Sequence, residues 1–216
     1  MHSLKSLKSG HHSILVLDAA STRVQAGWLG AGRNDLWTRF EGDAGQGVFE
    51  CIEQLECDLK AIDAFIFCDG PGSILGIRTV AMAIRTWQAI HPRPAYHYRS
   101  LELVAHALAP EKRNLRVIAD ARRETWHAVE VAADGSVNPL TRIPHSDLQG
   151  DSVMPEAFRA WAAIPSQTRR APYDLGPLFA ATASVPLFTY TPNPDAFIYE
   201  MPQYVTWSPR IHRAPA

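Results

Sequence analysis

The chain has 216 residues, 46% of them hydrophobic, which is enough for one large domain or two smaller ones around separate cores. Its 21 Lys and Arg against 22 Asp and Glu leave a formal net charge of -1, which excludes a global electrostatic pull toward nucleic acid or membrane; any RNA contact is then local or indirect. The three cysteines, Cys51, Cys57 and Cys68, are odd in number and lack metal-ligand spacing, which excludes a disulfide framework and points to a reducing cytoplasm.

Residues 1–12 are basic, and no apolar stretch long enough for a signal sequence follows them, so a flexible tail is expected there. Ile14 to Asp18 is an apolar run ending in a carboxylate, and Ala19-Ala20-Ser21-Thr22 supplies a turn. Alternation from Val24 to Gly30 and a further run from Asp35 to Phe40 predict a three-strand meander. Val48, Ile52 and Leu55 then share one helical face.

Ala64 to Cys68 reads as a strand buried on both faces, running into Asp69-Gly70-Pro71-Gly72-Ser73. Ile77, Val80, Ala81, Ile84 and Gln88 track one side of the next helix, which Pro92 and Pro94 end. Pro94 to Tyr98 predicts a strand, and Ser100 is placed to cap a helix carrying Leu101, Val104, Ala105 and Leu108.

After Pro110 the pattern restarts. Leu115 to Asp120 and the alternating Thr125 to Val131 echo the opening hairpin, and Asp134-Gly135 predicts a tight turn into a third strand over Ser136 to Ile143. A helix is expected over Met154 to Ala163, and strands near Pro186 to Tyr190 and Gln203 to Trp207. The expected organisation is thus a tail over 1–12, one lobe over 13–110 and a smaller lobe over 111–216.

The repeated order resembles the duplicated α/β fold of the actin-like, ribonuclease-H-like superfamily, two lobes each with a mixed sheet flanked by helices. Within it, Ile14 to Thr22, the run from Asp69 to Arg78, Ser100-Leu101-Glu102, Asp120-Ala121-Arg122 with Trp126, and Pro202-Gln203-Tyr204-Val205 together resemble the TsaB (YeaZ) family. Ile74-Leu75 stand where that family has Phe-Thr. The resemblance implies a non-catalytic protein that dimerises and supports a TsaD-type enzyme, with a TsaE-type ATPase, in threonylcarbamoyl modification of tRNA adenosine-37. ATP and metal would then reside on the partner enzyme, with tRNA reached only through the complex and no membrane involved. It also implies an interface on Gly70, Pro71, Gly72, Ser73, Ile74, Gly76, Ile77, Arg78, Ala81 and Arg85.

Residue chemistry frames the alternatives. Gly70 and Gly72 before a helix N-terminus suit either an anion site or a tight turn, and no lysine follows as in a Walker sequence. Asp18 resembles the metal-water carboxylate of the first phosphate loop, but Ala19 and Ala20 stand where nucleotide binders keep glycine. Asp120 and Arg122 occupy the second such loop, again without glycines, so each of Asp18, Asp120 and Arg122 is a candidate ligand contact only. No His-x-x-x-His occurs, and Ser73 and Ser100 lie in no Gly-x-Ser-x-Gly elbow, so neither a metal centre nor a peptidase triad assembles from spacing. The competing functions are a nucleotide-hydrolysing or phosphotransfer enzyme of the same superfamily, and a stand-alone homodimeric paralogue without a TsaD partner.

Overall fold

A computed structural model describes residues 1–30 and 34–199. The opening meander forms as β2 (Ser13–Asp18), β3 (Arg23–Gly30) and β4 (Leu36–Glu41), followed by α2 (Ala44–Gln54), β5 (Ala64–Gly70), α3 (Ile74–Ile90), β6 (Ala95–Arg99) and α4 (Ser100–Leu108). Strands β2, β3 and β4 pair antiparallel, whereas β5 and β6 join β2 in parallel through helical crossovers.

The second half repeats this arrangement. Strands β7 (Leu115–Asp120), β8 (Thr125–Val131) and β9 (Thr141–Pro144) form the antiparallel part, and β10 (Asp151–Pro155) and β11 (Arg169–Ala171) continue in parallel from β7. The order β4-β3-β2-β5-β6 in one sheet is therefore matched by β9-β8-β7-β10-β11 in the other. That match places Asp18 and Asp120 at the same point of the two repeats, each at the end of a first strand.

Strand alternation divides the core. Leu15, Leu17, Phe65 and Phe67 face α2 and α3, where Val48, Cys51, Val80, Ala81 and Ile84 cover them. Ile14, Val16, Ile66 and Cys68 face the opposite way, into a larger core with Tyr98, Leu101, Val117, Trp126, Phe179 and Phe188. Both faces of the first sheet are buried, as continuous apolar runs at β2 and β5 require.

Several expectations change. Residues 1–12 are not a tail: β1 (His2–Ser3) pairs with β12 (Pro186–Thr191), and α1 (Leu4–Gly10) buries Leu4 and Leu7. The i, i+3 spacing of those leucines between lysines is an amphipathic turn, capped where Ser3 accepts the Ser6 amide at 3.2 Å. Strand β12 belongs to the first sheet rather than to the second lobe, pairing antiparallel with β6.

The expected helix over 154–163 is absent as well. Val153 and Met154 join a parallel ladder with β11, and Pro155, which has no amide proton, ends it. The expected strand over 136–143 shortens to β9, with one isolated bridge at Val137, because Pro139 interrupts the ladder. A helix not foreseen, α5 (Leu175–Ala181), buries Leu175, Leu178 and Phe179, and its Gly176 lies against the Trp37 indole. The motif over 202–205 and the strand expected over 203–207 lie outside the described residues.

Replacing Leu7 by Ala should lower the unfolding free energy by about 2–3 kcal/mol, since the side chain is 3% exposed. Urea denaturation reads this, and a loss below about 0.5 kcal/mol would return residues 1–12 to the status of a loose tail.

Candidate functional site

Three chain corners meet between the sheets: the β2–β3 turn at Ala19 to Thr22, the β5–α3 junction at Asp69 to Ser73, and the β7–β8 turn at Ala121 to Glu124. They enclose a cleft of about 480 Å³ whose walls include Ala20, Gly72, Ser73, Asp120, Arg122 and Trp161. A cleft between two repeated lobes, at the ends of their first strands, is where such folds place ligands.

The glycines at the β5–α3 junction answer to packing. A Cβ on Gly72 would lie 2.3 Å from the Ala20 carbonyl oxygen, and one on Gly76 would lie 2.3 Å from that of Ala19. The start of α3 thus sits directly on the β2–β3 turn, and the Ser73 amide donates to the Ala20 carbonyl at 2.7 Å. Part of the donor set that an anion would seek at this helix end is already used by the chain. Ser100 does not cap α4; it begins the helix, and its buried hydroxyl donates to the Pro71 carbonyl at 2.6 Å, holding the junction from the other side.

Asp18 does not face the cleft. It is fully buried, and one carboxylate oxygen accepts the hydroxyls of Tyr98 at 2.6 Å and Tyr173 at 2.7 Å while the other accepts the Ala20 amide at 2.8 Å. Burial raises its pKa, against the opposing effect of these hydrogen bonds. Tyr98 comes from β6 and Tyr173 from the chain between β11 and α5, so this carboxylate joins the two halves. Gln25 reinforces the junction, donating to the Tyr173 carbonyl at 2.8 Å and accepting the Leu175 amide at 3.0 Å.

Asp120 is also occupied. Its oxygens accept the amides of Arg122 at 2.6 Å, Trp161 at 2.7 Å and Ala162 at 2.9 Å. Burial works against ionisation, but those amides outweigh it and hold the carboxyl below its usual range. Arg122 is exposed, with its guanidinium 4.3 Å from the Trp161 ring centroid.

The deeper cleft wall carries Asp69, which lies 2.8 Å from His97 Nδ1 and 3.0 Å from Arg99 Nε. Phe197 covers Arg99 at 3.6 Å, and its amide donates to the Asp69 carbonyl at 2.7 Å. His127, also in the wall, is held down to a pKa of about 4, foremost by burial and then by Arg142 and Arg99. Among the described residues no cluster of three or more His, Cys, Asp or Glu is arranged to hold a metal ion.

The ten residues of the expected interface separate. Gly70 and Pro71, at the β5–α3 junction, are buried, and so are Gly76, Ile77 and Ala81, because the face of α3 that carries these three lies on the β2–β3 turn and the first sheet. Ile74, Arg78 and Arg85 are exposed, together with the backbone at Gly72, while Ser73 is half-buried. Sequence reasoning missed Leu75 and Met82, 74% and 54% exposed, although their i, i+7 spacing with Arg78 marks one open face. Phe49 on α2, 63% exposed, adds to the apolar surface of this helical layer.

Two outcomes test this geometry. Tyr173→Phe removes one donor from a buried carboxylate and should lower the unfolding free energy by about 1–2 kcal/mol, read by urea denaturation; an unchanged midpoint would remove the link between halves. His127 has a folded pKa below the unfolded value, so stability present above pH 6.5 is lost as pH falls toward 4. Denaturation of the native protein and His127→Gln at pH 7 and pH 4.5 should show the variant losing about 2–3 kcal/mol less on acidification. Equal losses would contradict the assignment.

Residues 44–142, from α2 to β9, match the model of the family described as TsaD, tRNA N6-adenosine threonylcarbamoyltransferase. Two solved structures share the fold. YeaZ from Pseudomonas aeruginosa superposes at a TM-score of 0.53 and 19% identity, over 66% of this chain and 75% of that one. A protein described as similar to peptidase YeaZ, also from Pseudomonas aeruginosa, gives 0.53 and 18%, over 79% of this chain and 89% of that one. No curated protein matches the sequence. In fold, therefore, the chain is similar to YeaZ, with two mixed sheets flanked by helices, and its residues 44–142 are similar to the threonylcarbamoyltransferase family.

Proposed function

We propose that this chain is a non-catalytic, TsaB-like partner that dimerises and supports a TsaD-type enzyme in threonylcarbamoyl modification of tRNA adenosine-37. One observation carries the reading: the corners that would grip a triphosphate are filled by the chain's own groups. Asp18 is buried among tyrosines, the Ala20 carbonyl takes the Ser73 amide, and Asp120 accepts three backbone amides. A phosphotransfer enzyme needs that carboxylate and that bare backbone turned toward substrate. The sequence match over 44–142 and the YeaZ fold support placement in tRNA modification.

The working surface in this reading is the open face of α3, where Leu75, Arg78, Met82 and Arg85 follow one another at helical spacing. Exposed Leu and Met flanked by arginines form an apolar strip with a charged border, the composition of a protein contact. ATP and metal belong to the partner enzyme, as does the chemistry. A TsaE-type ATPase would join the same assembly. No helix among the described residues is long and apolar enough to cross a membrane, and a cytoplasmic site of action follows from the proposed pathway.

Co-purification with the host's TsaD-type protein tests the reading, with native chain expected to retain it and Leu75→Asp with Met82→Asp expected to lose it at least tenfold. Isolated chain titrated calorimetrically with ATP and magnesium should give neither tight binding nor turnover. Tight binding with turnover would favour the phosphotransfer alternative, and a homodimer that never retains the partner would favour the stand-alone paralogue.

A further inference from the structure

The β7–β8 turn holds three consecutive non-glycine residues in the left-handed region, Arg122, Arg123 and Glu124, at φ 61°, 48° and 55°. Side chains with a Cβ avoid that region, so the surroundings must impose it. They do: the Arg122 amide donates to Asp120, the Arg122 carbonyl accepts both the amide and the hydroxyl of Thr125, and the Glu124 carbonyl accepts the His145 amide at 2.9 Å. The result is a fixed turn that keeps Arg122 and Arg123 exposed.

Beside it stands Trp161, 63% exposed, its own amide tied to Asp120 at 2.7 Å. The exposed indole is an aromatic face open to stacking. The Arg122 guanidinium covers only part of it. Arg159, also exposed, lies two residues before the ring. A hollow of about 560 Å³, lined by Arg122, Arg123, His145 and Trp161 among others, opens at this corner, and the buried His145 Nε2 has no hydrogen-bond partner. Arg122 and Arg123 line this hollow beside Glu124 and Asp120, whose oxygens already accept three backbone amides, and Arg159 lines the adjoining cleft on which Arg122 and Trp161 also open.

We propose that this corner binds an unpaired stretch of RNA, with a base stacked on Trp161 and flanking phosphates on Arg122, Arg123 and Arg159. Guanidiniums beside an aromatic platform are the chemistry that single-stranded nucleic acid selects. An acidic peptide would satisfy the arginines and leave the ring unused. The inference rests on the reading that the chain serves tRNA modification, and it gives the chain a direct RNA contact where the sequence implied only an indirect one.

Fluorescence anisotropy of an unstructured, end-labelled seven-nucleotide RNA with the full chain tests it, from low to moderate salt. Binding should weaken with salt at a log–log slope of about -2, the value for three phosphates on a single strand. Trp161→Ala should weaken it about fivefold or more without changing the slope. Arg123→Glu with Arg159→Glu should weaken it more than tenfold and flatten the slope, with Arg159→Gln as a milder second variant; thermal melting should be unchanged, since these side chains are exposed. Absence of binding by the native chain, or variants equal to it, would overturn the proposal. So would a poly-glutamate peptide of the same length that competes as well as the RNA, which would reassign the corner to an acidic protein surface. Native chain that retains the TsaD-type partner but binds no RNA sinks this inference alone, whereas RNA binding without the partner sinks the proposed function and leaves the corner as assigned.

Discussion

The buried carboxylate of Asp18 is the group around which the two halves are arranged. It has left water entirely, and such a charge-bearing group is tolerated inside only when hydrogen bonds replace the lost hydration. Tyr98 from the first sheet and Tyr173 from the chain after the second provide them, at 2.6 and 2.7 Å. The carboxylate at the end of the first strand is thereby turned inward, away from the cleft. The same bonds that withdraw the carboxylate from the cleft also fasten one half to the other.

The close approach of α3 to the β2–β3 turn belongs to the same arrangement. Gly72 and Gly76 let the helix rest on the carbonyls of Ala20 and Ala19, and that contact presents the opposite face of α3 outward. A helix held so near a neighbouring turn has one side fully committed to its own lobe, which is why Ile77 and Ala81 are buried while Leu75 and Met82 stand in solvent. Rigidity behind an apolar strip lowers the ordering cost of binding.

Much of this was legible in the sequence where local signals agree with tertiary demand. The apolar runs of β2 and β5, the proline stop after α3 and the restart after Pro110 all survive in the structure, because strand burial and helix termination are local effects. The glycine-rich corner was half legible: it says that something lies close, but not whether that something is a partner or the chain's own Ala20. Tyr173 as a ligand of Asp18 left no signal, being 155 residues away. The segment after Pro155 misled through Phe158 and Trp161, whose spacing mimics a helix; one packs against Tyr173 and the other stays in solvent. Residues 1–10 misled because a two-residue strand and a two-turn helix are too short to outweigh a run of lysine and serine.

The return of β12 to the first sheet has a consequence for synthesis. The ribosome releases β2 through β6 first, yet the strand that seals the open side of β6 comes only after the whole second lobe has been made. During that interval the backbone of β6 presents unpaired amides and carbonyls, a template for wrong pairing. The nascent chain therefore completes its earlier half last, and its two lobes mature together rather than in succession.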